Sequence, residues 1–247
     1  MNPPQPPVQE APKAPAQGTP PVARQFVNYA FYKTDIAWRR LGSAEKEKGR
    51  QEFLAVVEKY RKDLMILSYS TVGLKGETDF LLWRIGYELE KLRDMSAELN
   101  QTGLGKYLET PYSYLAMTKH STYVDKHEHP GQEGRRLKIV PGNGKYFFLY
   151  PFWKTHEWYQ LPKEERQAMM DVHIAIGHKY PGIKINTTYS FGLDDPDFVV
   201  GFDGNSPADF LDLVMELREV KSRIYTLRDT PIFTCLKQDL KDILTTL

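Results

Sequence analysis

The stretch that decides the fold is Tyr29-Ala30-Phe31-Tyr32-Lys33-Thr34, because a near copy follows as Tyr150-Pro151-Phe152-Trp153-Lys154-Thr155. The two stretches are 150 − 29 = 121 positions apart. Further pairs match in the same order at nearly the same spacing: Lys59-Tyr60 with Lys179-Tyr180, Gly73-Leu74 with Gly192-Leu193, Asp79-Phe80 with Asp197-Phe198, and Thr110-Pro111 with Thr230-Pro231. Stacked arrays have periods of about 20 to 50 residues, so this longer repeat predicts two copies of one compact unit.

The two copies differ at one helix position that can carry chemistry. His173 falls opposite Phe53, and it lies between Met169 and Ile176 on the apolar face of a predicted helix. A histidine in such a place is more commonly a core residue that is satisfied by a hydrogen bond. A single histidine in apolar surroundings also suits the proximal side of a haem iron. The pattern leaves both interpretations open.

The spacing of apolar residues predicts the element order β-α-β-β-α-β in each copy. The first copy has predicted strands at 25–33, 65–72, 80–85 and 112–118, and helices at 43–60 and 86–99, with Ser43 as N-cap. The second has predicted strands at 145–153, 184–191, 198–202 and 232–235, a helix that opens at Leu161-Pro162 and another at 206–220. This order is typical of a ferredoxin-like unit. The predicted fold class is α+β, with two such units forming a dimeric α+β barrel-like body.

Composition divides the chain into four predicted parts. Residues 1–22 are rich in Pro, Ala and Gln and predict a disordered tail. An N-terminal half at 23–120 and a C-terminal half at 145–247 flank a linker loop at 121–144. The linker contains His127 and His129, which lack nearby cysteines and fall short of a zinc site, so we expect them to be solvated.

The overall charge excludes some classes of partner. With 33 basic and 32 acidic residues the net charge is +1, which favours neither nucleic acid nor an anionic membrane surface. The single Cys235 cannot form an internal disulfide, and no apolar stretch reaches the roughly 18 residues of a membrane span. We therefore expect a cytoplasmic protein whose partners are recognised locally.

One face of the strand at 145–153 brings a phenol and an ammonium together. Alternate residues of a strand share a face, which places Tyr150 and Lys154 on one wall among aromatic rings. The alternative is an ordinary half-buried face with a snorkelling lysine. The recurrence of the pair as Tyr29 and Lys33 weakens the site interpretation.

Five stretches resemble the chlorite dismutase superfamily, and within it the branch of coproheme decarboxylases of bacterial haem synthesis. They are Tyr150-Pro151-Phe152-Trp153-Lys154, Glu157-Trp158-Tyr159-Gln160-Leu161-Pro162, Met169-Met170-Asp171-Val172-His173, Tyr189-Ser190-Phe191-Gly192-Leu193-Asp194-Asp195 and Thr226-Leu227-Arg228-Asp229-Thr230-Pro231. The resemblance covers roughly residues 24–240. It implies a pair of ferredoxin-like units assembled into rings, usually pentamers.

The resemblance also implies roles for individual residues. His173 matches the proximal iron ligand, Tyr150 the tyrosine that becomes a radical, and Lys154 the basic residue beside it. The other implied haem contacts are Trp158, Asn186 on the distal side of the iron, Arg136 or its neighbour Arg135, and Thr230. Two features depart from the family pattern: Asn186 stands where chlorite-converting members carry an arginine, and the carboxylate partner of the proximal histidine is unassigned among Glu216, Glu219 and the position of Lys221.

The implied activity is the peroxide-dependent oxidative decarboxylation of iron coproporphyrin III (coproheme) to haem b. Coproheme would be both cofactor and substrate, and the expected partners are hydrogen peroxide, further copies of the chain in a homopentamer, and transiently a ferrochelatase. The alternatives are a haem-binding or haem-sensing protein without turnover, a chlorite dismutase, or a structural oligomer in which His173 is a core residue. Asn186 argues against chlorite chemistry, because it has no charge to hold an anion.

Overall fold

The computed structural model describes residues 23–123 and 137–247. The predicted tail at 1–22 and four residues of the predicted linker, His127, His129, Arg135 and Arg136, lie outside these ranges.

The secondary structure follows the predicted order, with additional short elements. The first half contains β1 (Phe26–Thr34), α1 (Ile36–Arg39), α2 (Ser43–Tyr60), β2 (Met65–Ser70), β3 (Phe80–Gly86), α3 (Leu89–Gln101), a 3₁₀ turn (Gly105–Tyr107) and β4 (Leu108–Met117). The second contains β5 (Tyr146–Lys154), α4 (His156–Gln160), α5 (Lys163–His178), β6 (Lys184–Tyr189), β7 (Phe198–Gly204), α6 (Pro207–Glu219), a 3₁₀ turn (Lys221–Tyr225), β8 (Thr226–Arg228), β9 (Phe233–Lys237) and α7 (Leu240–Thr245).

The strands form one antiparallel sheet that closes on itself. Its order is β7-β6-β4-β1-β3-β2-β9-β5-β8, and β7 also pairs with β5. The seam between the halves is thin at one place, where β4 and β6 share the single pair Met117 and Tyr189. There the Leu115 amide donates to Asp194 Oδ2 at 2.7 Å. The predicted α+β class and barrel-like body are confirmed, while the domain boundaries at 23–120 and 145–247 stay a prediction.

Three apolar cores follow from the alternation of side chains along the strands. The barrel interior is filled from both halves, for example by Tyr29, Trp83 and Phe147. A second core, around Phe53, lies between the first-half strands and the helices α2, α3 and α7. A third, around Phe148, lies between the second-half strands and the helices α5 and α6.

Matching hydrogen bonds show which residues of the two halves are equivalent. The Asp79 amide donates to the Tyr32 carbonyl, and the Asp197 amide donates to that of Phe152. Two positions further along each strand, the Thr34 amide donates to Asp79 Oδ2 at 2.8 Å, and the Lys154 amide donates to Asp197 Oδ2 at 2.7 Å. These bonds put Thr34 opposite Lys154, a spacing of 154 − 34 = 120.

The predicted pairing of Tyr29 with Tyr150 is therefore wrong by one residue. At the spacing of 120, the equivalent of Tyr150 is Ala30. The error matters because a shift of one position along a strand moves a side chain to the other face of the sheet. Tyr29 lies in the barrel interior, stacked on Trp83 with ring centroids 5.6 Å apart. Tyr150 instead packs on the face that the helices cover.

Several predicted boundaries differ from the structure. Gly42, not Ser43, is the N-cap of α2. Gly86 is the last residue of β3, and α3 begins at Leu89. Pro162 precedes the first residue of α5 rather than lying in its first turn. Ser206 does cap α6, since its hydroxyl accepts from the Asp209 amide at 3.1 Å.

Within residues 23–123 and 137–247, no helix combines the length and the apolar character needed to cross a bilayer.

Candidate functional site

A cleft in the second half lies between β5 and the layer formed by α5, α6 and the 3₁₀ turn that follows α6. Its lining residues are Tyr150, Phe152, Lys154, His173, Val214, Leu217, Arg218, Ser222, Arg223, Thr226 and Asp229. Its volume is about 50 Å³. The structure therefore brings three of the predicted site residues, Tyr150, Lys154 and His173, to one place.

His173 presents an uncharged imidazole to this cleft. It lies on α5 and is half-buried, and burial, followed by the positive charge of Lys154, lowers its pKa to about 4. Among the described residues neither ring nitrogen has a hydrogen-bond partner. A neutral imidazole has a lone pair on one nitrogen, so His173 can bind a metal ion.

Lys154 is held from several sides at the end of β5. Its Nζ donates to the Ser222 carbonyl at 3.2 Å and lies 4.1 Å from the ring centroid of Trp158. Burial, followed by the charge of Arg223, lowers the pKa of Lys154 to about 8, and Asp197 opposes this shift. At neutral pH the ammonium is therefore close to titration and can deliver a proton.

Trp158 does not line the cleft but contacts Lys154, which does. It is buried on α4 and packs against Tyr225 with ring centroids 5.6 Å apart. The equivalent Trp38 on α1 packs in the same way against Tyr107, at 5.8 Å. The indole therefore belongs to the repeated framework, and its contact with a lysine ammonium from the neighbouring strand is a feature of the second half.

Tyr150 contributes a protonated phenol. Burial raises its pKa, as does the carboxylate of Asp229, while Arg218 and Arg223 oppose the shift. Among the described residues its hydroxyl has no hydrogen-bond partner. The side chain lies on the same face of β5 as Phe148, as the strand pattern predicts.

Three charged residues of the cleft escaped the sequence reasoning. Arg223 Nη1 lies 2.6 Å from Asp229 Oδ2, and Arg218 Nη2 lies 3.3 Å from the same oxygen. A comparison of the two copies at the residue spacing that the structure shows would have pointed to these residues. At a spacing of 118, which the pairs Glu98–Glu216 and Tyr107–Tyr225 share, the first half has Asn100 and Gly105 in place of the two arginines.

Asn186 does not reach the cleft, so the expectation that it lies beside the iron is wrong. Its side chain faces the barrel interior, where it is buried and its Nδ2 donates to Asp203 Oδ2 at 3.2 Å. The residue of β6 that packs under the helices is the neighbouring Ile185. The physical reason is again a shift of one residue along a strand.

Thr230 is exposed and does not line the cleft. Arg228 Nε donates to its carbonyl oxygen at 3.1 Å and lies 3.4 Å from its hydroxyl. The contact with a propionate that the resemblance implies for Thr230 stays a prediction.

The candidate carboxylate partners of His173 are used elsewhere. Glu216 accepts from Lys179 Nζ at 2.5 Å and from the Tyr180 hydroxyl at 2.7 Å, while Glu219 is exposed. The equivalent Glu98 makes the same bonds in the first half, so this motif joins the two helices of each half. Neither carboxylate bonds to His173.

The sequence profile described as Chlorite dismutase matches residues 46–238, and the chain belongs to this family. A coproheme decarboxylase from Mycolicibacterium smegmatis is 29% identical over 167 residues, which cover 67% of this chain and 70% of the relative.

Solved structures share the fold over nearly the whole chain. A mutant chlorite dismutase from Candidatus Nitrospira defluvii superposes with a TM-score of 0.81 at 26% identity, covering 90% of this chain and 94% of that one. A haem-binding protein from Thermus thermophilus superposes with a TM-score of 0.78 at 24% identity over the same shares.

Proposed function

We propose that the chain catalyses the peroxide-dependent oxidative decarboxylation of iron coproporphyrin III to haem b, with the substrate bound in the second-half cleft. One observation carries the proposal. His173 is a neutral imidazole with no hydrogen-bond partner among the described residues, and it shares its cleft with a protonated phenol and with the cations Lys154, Arg218 and Arg223. The coproheme decarboxylase relative supports the same substrate.

The residues present suit a metal porphyrin that carries carboxylates. His173 offers one nitrogen ligand, and no cluster of His, Cys, Asp and Glu in the described ranges could hold a metal by itself. The site therefore fits an iron whose other ligands arrive with it. Arginine guanidinium groups pair well with carboxylates, which is what the propionates of coproheme are.

Binding requires the cleft to open. Ligand pockets typically have about 300 to 1,000 Å³, whereas this cleft has about 50 Å³. An ion-pair cluster of Arg218, Arg223 and Asp229 narrows the cleft, and the Arg218 side chain is 47% exposed. We infer that a substrate carboxylate replaces Asp229 on these arginines when the cleft opens.

Each cleft residue then has a role that its environment allows. The bound iron porphyrin supplies the oxidation chemistry with peroxide. Tyr150 would hold its proton until it gives up an electron and that proton together, and would then take hydrogen from a propionate. Peroxide would accept the two electrons and two protons of each decarboxylation and leave as water. Lys154 holds or delivers a proton beside it. Arg136, or Arg135, and Thr230 remain proposed contacts to other propionates.

The experiment adds peroxide to purified protein mixed with iron coproporphyrin III and follows the porphyrin by mass spectrometry. We expect two successive losses of carbon dioxide with two hydrogens each. Tight binding without any change in porphyrin mass would instead support the second candidate, a haem-binding protein. The fold of the Thermus thermophilus haem-binding protein favours that candidate as the alternative.

Ile185, rather than Asn186, is the residue that argues against chlorite conversion. Ile185 is the residue of β6 that packs under the helices, and it has no charge to hold an anion. We expect slow or no oxygen evolution from chlorite. The predicted ring of copies and the transient contact with a ferrochelatase belong to the same proposal, and a molar mass from light scattering tests the pentamer.

A further inference from the structure

We propose that Asp197 is a positioning residue of the cleft, because one of its carboxylate oxygens fixes both Lys154 and the helix that carries Trp158. The inference about turnover rests on the proposed function, while the inference about geometry stands without it.

The tether is a set of four hydrogen bonds. Asp197 Oδ2 accepts from the Lys154 amide at 2.7 Å and from the Tyr159 hydroxyl at 2.8 Å. Its amide donates to the Phe152 carbonyl at 3.1 Å, and its carbonyl accepts from the Ser190 amide at 2.9 Å. One residue thereby joins the end of β5, helix α4 and the turn between β6 and β7.

The two residues that Asp197 fixes meet each other in the cleft wall. Tyr159 is the neighbour of Trp158 on the short helix α4, and the Lys154 ammonium lies 4.1 Å from the centre of the Trp158 ring. A helix of five residues has little intrinsic stability of its own. The bond from Tyr159 to Asp197 therefore sets where the indole lies relative to the ammonium.

The first half contains the same carboxylate in a different setting. Asp79 Oδ2 accepts from the Thr34 amide at 2.8 Å, while Asp79 Oδ1 forms an ion pair with Lys33 Nζ at 2.9 Å. At the position of Lys33 the second half has Trp153, whose Nε1 donates to the Asp195 carbonyl at 2.7 Å. Asp197 thus bonds to a phenol on helix α4, where Asp79 bonds to the Lys33 ammonium on the adjacent strand β1.

Two substitutions separate geometry from charge. In Asp197→Asn the amide oxygen can take the place of Oδ2 and accept both bonds, since it has two lone pairs. In Asp197→Ala both bonds are lost. Asp79→Ala is the matched control, because it removes the equivalent bond to the strand amide in the half that lacks His173 and Lys154.

The first readout needs no porphyrin. We expect the Lys154 amide to exchange its hydrogen slowly in the unaltered protein and in Asp197→Asn, and faster in Asp197→Ala. Asp79→Ala should leave the exchange of Lys154 unchanged. This measurement tests the tether even if the protein proves unable to convert coproheme.

The second readout is turnover of coproheme at a temperature below the unfolding midpoint of every variant. A displacement of about 1 Å in an active site can cost roughly a hundredfold in rate, so we expect kcat of Asp197→Ala to fall by about 10- to 100-fold, with coproheme affinity within about twofold. Asp79→Ala should stay close to the unaltered protein, and Asp197→Asn should keep most of the rate that Asp197→Ala loses, since it retains both hydrogen bonds and lacks only the charge near Lys154. The proposal is overturned if Asp197→Ala keeps its rate and its slow Lys154 exchange, if Asp79→Ala loses as much rate, or if Asp197→Asn falls as far as Asp197→Ala.

Discussion

The helix layers of the two halves differ most where Phe53 and His173 occupy equivalent places. Phe53 is fully buried and meets the rings of Tyr32 and Phe80 edge-on, at 6.3 Å and 6.1 Å between centroids. His173 is half-buried, bonds to no described residue and opens into a cleft. The same framework thus supports a closed core in one half and a site in the other.

The cleft differs from the closed core by several replacements along the same register. Tyr150 replaces Ala30, Lys154 replaces Thr34, and arginines replace Asn100 and Gly105. A side chain at Gly105 would meet the Leu99 carbonyl oxygen, so the first half has no room for an arginine there. The difference teaches that the second half has both charge and space at the place where the first half has a closed core, while the hydrogen bonds that define the repeat are common to both.

The largest expected effect comes from Tyr150→Phe, which removes the phenol hydroxyl. The equivalent residue of the first half, Ala30, has no such group. Removing a group that transfers a proton typically costs about 10²- to 10⁴-fold in rate. Coproheme should still bind, because phenylalanine keeps the ring packing. The control is Tyr146→Phe, a phenol on the same face of β5 that packs with Phe148. Haem b formation at the parental rate in Tyr150→Phe would contradict the role proposed for the Tyr150 hydroxyl.

His173→Phe gives the second half the residue that the first half has at the equivalent position, Phe53. We expect the five-coordinate, high-spin histidine signature of the bound iron porphyrin to disappear in the absorption spectrum, because no other described residue of the cleft offers an imidazole. His178→Ala, at the exposed end of α5, should keep that signature. The reverse pattern would assign the ligand to a different histidine.

The free energy of unfolding should depend more on Phe53 in the first half than on His173 in the second, the reverse of their effects on the site. Phe53→Ala should lower the free energy of unfolding by about 3 to 5 kcal/mol, as for other buried phenylalanines. His173→Ala should change it by less than about 1 kcal/mol, because the imidazole makes no hydrogen bond to a described residue and borders open space. Urea unfolding of the porphyrin-free protein measures both. Equal losses would mean that His173 is a core residue.

The smallest effect concerns the barrel interior, where Asp203 takes the place of Ile85 at the same spacing of 118. Burial raises the pKa of the Asp203 carboxyl, although the Gly142 amide, Lys237, Lys184 and Asn186 oppose the shift. As the pH rises above the ordinary aspartate range, the unfolded chain loses this proton first, so the wild-type fold loses stability until the folded pKa is passed.

Asp203→Asn removes that loss and keeps an acceptor for the Gly142 amide, so we expect it to stabilise the protein at neutral pH by about 1 kcal/mol. Relative to the wild type, its advantage should shrink as the pH is lowered through the same window. Thermal unfolding at several pH values checks both statements. Destabilisation at neutral pH would mean that the carboxylate is compensated in the barrel.

Repetition in the sequence was enough to predict the fold class and the chemical contrast between Phe53 and His173. It also placed Tyr150 and Lys154 on one face, because alternation along a strand requires no knowledge of its neighbours. Matching letters failed where a strand must be aligned to the single residue, as for Tyr29 and Asn186. A shift of one position keeps the pattern of letters plausible and reverses the face.

The ion-pair cluster of the cleft was out of reach for a different reason. Arg218 lies in α6 and Asp229, 11 positions further on, follows β8, so only the path of the chain brings them together. The C-terminal helix α7 is a similar case, because Leu240 and Ile243 become core residues by packing on the first half. Contacts of this kind depend on tertiary structure, which local patterns do not encode.

The central claim is that one half of the duplicated fold binds the iron porphyrin, while the equivalent place in the other half is a closed core around Phe53. Titration of the purified protein with iron coproporphyrin III, followed by its absorption spectrum, tests this most directly. We predict saturation at one porphyrin per chain, with the spectrum of a single histidine-ligated iron. Saturation at two porphyrins per chain, or the absence of saturable binding, would contradict the account.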